Sequence, residues 1–343
     1  MNTFKAAVLV KSNSPLEILE LRFPKELQPG QVLVEMDTAA LCGSQLGEIS
    51  AIKGVDKFLP HLLGHEGIGK VIDIGTNVNK LFPGDKVITH WMKGSGSDCL
   101  GIRYLSVDDT EINAGSIAVF SEIAIIAENR LTKFSSDLSD ELISLIGCGF
   151  LTSYGVIKRD LEISSEFAGK ILIIGFGGIG QMLSLFLKKI TKSKISIVEK
   201  NFANLQKSQN FGVSNSYLTI ASELIGQEFD YVIDTTGNAK LINEAYNLLT
   251  TKGTLLLVGV TPSGDKISID PMPLHFGREV KGSFGGQVNP DIDIPEIIKL
   301  LNSDPKWFLQ AKGEQYALEN INEAIDNLSS GKNQGRQLIK FFK

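Results

Sequence analysis

Cysteine is scarce, with three in 343 residues, at positions 42, 99 and 148. So few thiols cannot frame a disulfide scaffold of that length. Their odd number, and a start that reads as a strand without a cleavable signal pattern, point to a reducing cytoplasm. Thiols kept reduced remain available as metal ligands. A positive excess is also missing: 34 Lys and Arg stand against 39 Asp and Glu, for a formal net charge of −5. That leaves no basic field for a phosphate backbone, and nucleic acid is not an expected partner. No uninterrupted apolar run approaches the roughly 20 residues that cross a bilayer, so no membrane partner is expected. The apolar stretches 142–146 and 255–260 have the length of buried helix or strand. Low hydrophobicity is absent too, since 43% of residues are hydrophobic and 21% charged, which argues against disorder.

What is present fits two domains, the expectation for this length. Up to about residue 134 the chain alternates β-branched and polar residues between turn signals. Strands are predicted at 5–10, 31–37, 69–74 and 85–89, with turns at Gln28-Pro29-Gly30, Gly75-Thr76-Asn77 and Pro83-Gly84-Asp85. A helix is predicted over 135–147. Beyond 150 the texture becomes strand–helix alternation, with strands at 170–174, 194–198, 229–234 and 254–259. Helices are predicted at 178–190, 201–210 and 240–249. Near-continuous apolar strands between helices imply a parallel sheet covered on both faces. A helix at 320–330 and a strand at 337–341 close the chain.

Gly175-Phe176-Gly177-Gly178-Ile179-Gly180 follows the strand 170–174 and opens a helix. Glycines in that setting permit a tight turn and close approach of a pyrophosphate to the helix N-terminus. At the end of the next strand stands Glu199, placed to accept hydrogen bonds from a ribose 2′-hydroxyl and to repel a 2′-phosphate. The predicted cofactor is therefore NAD, although the neighbouring Lys200 would offset part of that repulsion. Cys42, His65 and Cys148 are ligand types that zinc prefers. Their wide spacing is unlike a closely paired structural zinc knuckle, and on spacing alone a buried core role for each cysteine stays open.

Several segments together carry a family resemblance. They are Gly64-His65-Glu66-Gly67, Pro83-Gly84-Asp85-Lys86-Val87, Cys148-Gly149-Phe150-Leu151-Thr152-Ser153-Tyr154-Gly155 and the glycine loop, then Val258-Gly259-Val260, Lys281-Gly282-Ser283-Phe284-Gly285-Gly286 and Ser330-Gly331-Lys332. In order and spacing the chain resembles the medium-chain dehydrogenase/reductase superfamily, in its zinc alcohol dehydrogenase branch, over nearly its whole length. The resemblance implies an α/β protein. A β-rich catalytic domain of residues 1–149 and 285–343 would enclose a Rossmann domain of residues 150–284, with the active site between them.

It further implies one catalytic zinc held by Cys42, His65 and Cys148. Glu66 is either an alternative ligand or a buried charge held by an arginine. Cys148 sides with alcohol rather than polyol dehydrogenases, which usually place a glutamate there. Lewis-acid activation of an alcohol oxygen would accompany hydride transfer to NAD. Ser44 matches the hydroxyl that starts the family's proton relay. Two departures sit beside it: Gln45 replaces an aspartate that bonds the zinc-bound histidine, with its amide expected to accept the imidazole N–H, and Gly47 replaces a relay histidine. Thr152, Val260 and Phe284 would lie by the nicotinamide, and Arg336 would reach the pyrophosphate. Trp91 and Phe120 would line the substrate pocket, with core packing the plain alternative. Cys99 alone cannot build the four-cysteine structural zinc lobe of many relatives, which would leave 92–113 held by packing. The polar segment 90–113 suggests a sugar- or polyol-like alcohol substrate, and a homodimer or homotetramer is expected. A zinc-free NADPH-dependent reductase of activated double bonds, and a non-catalytic cofactor-binding protein on the same scaffold, are the rival readings.

Overall fold

A computed structural model describes residues 3–52, 54–332 and 335–341. The chain divides into two units. One runs up to Leu151 and resumes at Asn289; the other is Thr152–Val288. These divisions fall at 151/152 and 288/289, against 149/150 and 284/285 from the sequence.

The first unit is β-rich. Its organising strand is Gln31–Ala40, which pairs antiparallel with Gly67–Ile74 on one side. Along its other side lie Ile123–Ala127 and, at its end, Arg336–Lys340. Alternation explains the placement: Val32, Val34, Met36 and Ala39 enter a core with Val71, Val87, Phe120 and Ile126. The C-terminal strand Arg336–Lys340 thus returns to the unit in which the chain began.

A second sheet runs in the order Glu17–Arg22, Thr3–Leu9, His61–Leu62, Glu111–Gly115 and Ile102–Leu105. Its last two strands correct an expectation, because the stretch 92–113 is not held by packing alone. Ile102–Leu105 and Glu111–Gly115 form an antiparallel hairpin with Tyr104 opposite Ile112. Ile102, Tyr104, Ile112 and Ala114 bury one face of it. The charges that gave this segment its polar look are largely spent on each other and on neighbours: Lys93 pairs with Asp98 at 2.7 Å, Arg103 with Glu111, and Arg22 with Asp109 at 2.6 Å.

The second unit holds a six-stranded sheet, parallel throughout, in the order Asn215–Tyr217, Lys194–Val198, Lys170–Ile174, Phe229–Asp234, Leu249–Leu257 and Glu279–Gly282. Every residue of Lys170–Ile174 and Lys194–Val198 after the opening lysine is buried, as strands covered on both faces require. The fold is α/β, a β-rich unit plus a Rossmann-type parallel sheet.

The helix read at 135–147 starts later and runs further. Ser139 is its N-cap, with Asp140 and Glu141 in the first turn, so the second of two Ser-Asp pairs is the one used. Helical backbone then continues to Asp160, passing through π-helical turns at Ile146–Phe150 and Val156–Asp160. Among the described residues, Asp140–Asp160 is the single helix with the length and apolar composition of a membrane span. Its apolar window is 83% buried within the protein itself, so its hydrophobicity is used for core packing.

His90 is fully buried at the end of Lys86–Thr89. Its Nδ1 lies 2.7 Å from the Met92 carbonyl, which can only accept, so Nδ1 carries the proton; Nε2 then accepts from Thr132 Oγ1 at 3.0 Å. Burial holds its pKa down at about 4, against about 6.5 for an unfolded histidine. As pH falls through that window the unfolded chain binds a proton that the folded chain refuses. The resulting loss of stability approaches roughly 3 kcal/mol near pH 4 and vanishes above about pH 7. Melting temperature measured from pH 7 to pH 4 should therefore fall less steeply for His90→Gln than for the unaltered protein. Parallel curves would show that His90 titrates normally.

Candidate metal centre and cofactor loop

Three segments distant in sequence converge in the first unit. Cys42 is the N-cap of the helix Gly43–Ile49, His65 lies between the strands His61–Leu62 and Gly67–Ile74, and Cys148 occupies the middle of the π-helical turn Ile146–Phe150. Gly147 allows that turn to press on the neighbouring strand, since a Cβ there would sit 1.8 Å from the Thr89 carbonyl oxygen. The ligand atoms of Cys42, His65 and Cys148 lie within 4.8 Å of one another, and no other His, Cys or carboxylate group among the described residues makes such a cluster.

The electrostatics of the cluster favour a cation. A hydrogen bond between the two thiol groups pushes Cys42 well below the ordinary thiol range and Cys148 well above it. His65 Nε2 is buried without a hydrogen-bond partner, which leaves that face of the ring unsatisfied in the bare cluster. Two thiols and an imidazole make a donor set suited to zinc.

Glu66 is fully buried but lies outside that cluster. One of its oxygens accepts the backbone N–H groups of Cys148 and Gly149, at 2.8 and 2.7 Å. Its other oxygen lies 3.2 Å from Arg336 Nε. Of the two roles held open for Glu66, these contacts are those of the buried charge held by an arginine. Burial raises its carboxyl pKa while Arg336 opposes the rise. Arg336 is itself only 4% exposed, so it is no solvated surface charge, and in this unit it faces Glu66 and also Cys42 and Cys148.

Ser44 is exposed in the first helical turn, its Oγ 3.2 Å from Gln45 Nε2. Gln45 is fully buried and corrects the expectation placed on it. Its Oε1 accepts the Cys42 backbone N–H at 2.8 Å, and its amide nitrogen is what faces His65 Nδ1, at 3.0 Å. Phe120 is fully buried in the core against Gly64, the packing role held open for it. Trp91 is half-buried, with its carbonyl accepting from Arg130. Of the histidines without a motif, His61 pairs with Asp56 at 2.8 Å and His275 is exposed.

In the second unit the glycine loop has the form its sequence implies. Gly175 takes a φ of +89°, and a Cβ on Gly180 would lie 2.2 Å from the Gly175 carbonyl oxygen. Gly177 caps the helix Gly178–Ile190 without a side-chain acceptor, so the N–H groups of Gly178 and Ile179 are left for an anion. Glu199 accepts the N–H of Phe176, inside the loop, at 2.8 Å and that of Asn201 at 2.7 Å. The carboxylate therefore braces the loop as well as ending the strand. Sequence reading missed Thr235, whose hydroxyl donates to the Ile174 carbonyl at 2.9 Å and packs against Gly175; its signal was a polar Asp-Thr-Thr-Gly run straight after an apolar strand. Thr152 is buried, while Val260 and Phe284 are 77% and 68% exposed.

Two family models match: the alcohol dehydrogenase GroES-like domain over residues 28–136, and the zinc-binding dehydrogenase domain over residues 178–303. The chain is 26% identical to S-(hydroxymethyl)glutathione dehydrogenase of Paracoccus denitrificans, covering 95% of this chain and 97% of that one. Among solved structures, an alcohol dehydrogenase zinc-binding domain protein from Burkholderia ambifaria superposes with a TM-score of 0.88 at 22% identity, over the whole of both chains. Benzyl alcohol dehydrogenase from Acinetobacter calcoaceticus does so with a TM-score of 0.86 at 23% identity, again over both whole chains. A Cys–His–Cys cluster, a glycine loop on a parallel sheet and two family matches over most of the sequence agree: the chain belongs to the zinc-type medium-chain dehydrogenase/reductase superfamily.

Proposed function

We propose that this protein is a zinc-dependent, NAD-linked alcohol dehydrogenase that interconverts an alcohol with a ketone or aldehyde. Its relatives support an oxidoreductase acting on alcohols. The observation that carries the zinc reading is the convergence of Cys42, His65 and Cys148, with His65 Nε2 buried and unpartnered. Three protein ligands leave a fourth position open, as a catalytic rather than a structural site requires. Zinc held there would supply Lewis acidity to an alcohol or carbonyl oxygen, and NAD would accept or return the hydride.

The chain's own residues supply the rest. Glu66 fixes the turn that carries Cys148 through two N–H groups. The Ser44 hydroxyl, exposed next to Cys42, passes the alcohol proton toward solvent or the cofactor ribose; Gly47 offers no side chain for a further relay. In the second unit the bare N–H groups at Gly178 and Ile179 would hold a pyrophosphate, and Glu199, which also braces the loop, would accept from a ribose hydroxyl. A polar, sugar- or polyol-like alcohol is the substrate class we propose, although Lys93 and Arg103 pair with Asp98 and Glu111 and so lend it less charge than the bare sequence suggests. A panel of sugar alcohols and simple alcohols, read by NADH absorbance, tests it. Assembly as a homodimer or homotetramer and a cytoplasmic location belong to the same proposal.

Elemental analysis should find one zinc per chain. Cys42→Ser and Cys148→Ser should lose both metal and activity. Cys99→Ser should keep both, because Cys99 packs against a separate apolar cluster that includes Phe4 and Ile102. Two zinc ions per chain would contradict the single site, and none in an active enzyme would favour the zinc-free reductase.

Catalytic efficiency should favour NAD over NADP by at least about tenfold, roughly 1.4 kcal/mol. Glu199→Ala should narrow that gap, and it should also raise the KM for NAD because the Phe176 N–H loses its acceptor. Equal use of both cofactors by the unaltered protein would end the NAD assignment.

Ser44→Ala should retain zinc and NAD while lowering kcat by about a hundredfold, the scale of a lost acid–base group. An unchanged kcat across the pH range would make Ser44 a turn residue.

A further inference from the structure

The orientation of the Gln45 amide is not a free choice. A backbone N–H can only donate, so the Gln45 atom 2.8 Å from the Cys42 nitrogen is the carbonyl oxygen. The other terminus, the NH2 group, is thereby directed at Ser44 Oγ and, at 3.0 Å, at His65 Nδ1. An NH2 group cannot accept, so His65 Nδ1 must be the acceptor, and the ring proton of the neutral imidazole resides on Nε2. Yet Nε2 is the buried, unpartnered atom at the cluster with Cys42 and Cys148, and a metal there requires its lone pair. The neutral histidine that binds metal through Nε2 carries its proton on Nδ1, which would then face an NH2 donor. Turning the amide by 180° relieves that clash only by setting the NH2 group against the Cys42 N–H. Gln45 is fully buried, so no solvent compensates either loss.

We infer that Gln45 is a positioning residue that opposes metal loading. By donating to His65 Nδ1 it holds the ring in the tautomer whose proton sits on the metal-facing nitrogen, and the site therefore holds zinc more weakly than it would with a carboxylate at this position. A carboxylate of the same length resolves the conflict, because one oxygen can accept from the Cys42 N–H and the other from Nδ1–H. The inference rests on the reading of Cys42, His65 and Cys148 as zinc ligands.

Two measurements on the full-length protein test it. In zinc competition against a chromophoric chelator at pH 7.5, near ordinary assay conditions, Gln45→Glu should bind zinc about tenfold more tightly or better than the unaltered chain, the usual scale for a residue that orients a metal ligand. Nitrogen-15 NMR of the metal-free, unaltered protein needs no variant. It should show the His65 ring, identified among four histidines as the one that shifts when zinc is added, protonated on Nε2. Equal or weaker zinc binding by Gln45→Glu, or an Nδ1–H ring in the unaltered metal-free protein, would overturn this inference while leaving the zinc site intact. Failure of both proteins to bind zinc would overturn the zinc reading and this inference together.

Discussion

The buried carboxylate of Glu66 joins three stretches of chain that meet nowhere else in sequence. It follows His65 directly, accepts the N–H groups of Cys148 and Gly149, and faces Arg336 of the C-terminal strand. A charge taken out of water is tolerated only when partners restore what hydration supplied, and here each partner belongs to the site. Two N–H groups of a π-helical turn, which regular α-helical bonding would otherwise engage, point at one oxygen. The guanidinium balances the other. Removing the carboxylate would leave a buried arginine unpaired and a ligand-bearing turn unanchored, so the ligand positions and the local fold depend on the same contact.

The second unit follows a simpler logic. Its strands are apolar on both faces, its helices cover them, and the glycine loop occurs where the first strand gives way to a helix. Glu199 has two duties there. It holds the loop through the Phe176 N–H, and the same carboxylate is the group placed to read the cofactor ribose. A residue that both shapes a loop and selects its ligand cannot be exchanged for one purpose without disturbing the other.

Legibility in the sequence followed the strength of the local pattern. Lys170–Ile174, Gly178–Ile190, Lys194–Val198 and Phe229–Asp234 match their sequence reading at both ends, because near-continuous apolar runs bounded by glycine or charge admit few alternatives. The hairpin Ile102–Leu105 with Glu111–Gly115 was hidden by its polar outer face, and Lys312–Ala317 by having no fully buried residue at all. Pro290–Ser303 passed unread as a helix, although Asn289 caps it and Pro290 opens it; a second proline at 295 obscured the helical pattern. At the metal site the ligand identities were legible from family-like motifs. The direction of the Gln45 amide was not, because it depends on which neighbour is a backbone N–H. Arg336 was equally opaque, since no local pattern announces an ion-pair partner some 270 residues away.

The pairing of Arg336 with Glu66 also bears on how the protein is made. Glu66 and the residues that hold His65 and Cys42 belong to the part synthesised first, whereas Arg336 rides on a strand that pairs beside Ala39 and Ala40. Until that strand has been made, Glu66 lacks its counter-charge and Gln31–Ala40 is unpaired along its end at Thr38–Ala40. Pairing across so many intervening residues closes slowly, and an unpaired strand edge invites association with other chains. Completion of the metal-holding set thereby waits until the whole Rossmann unit has been produced.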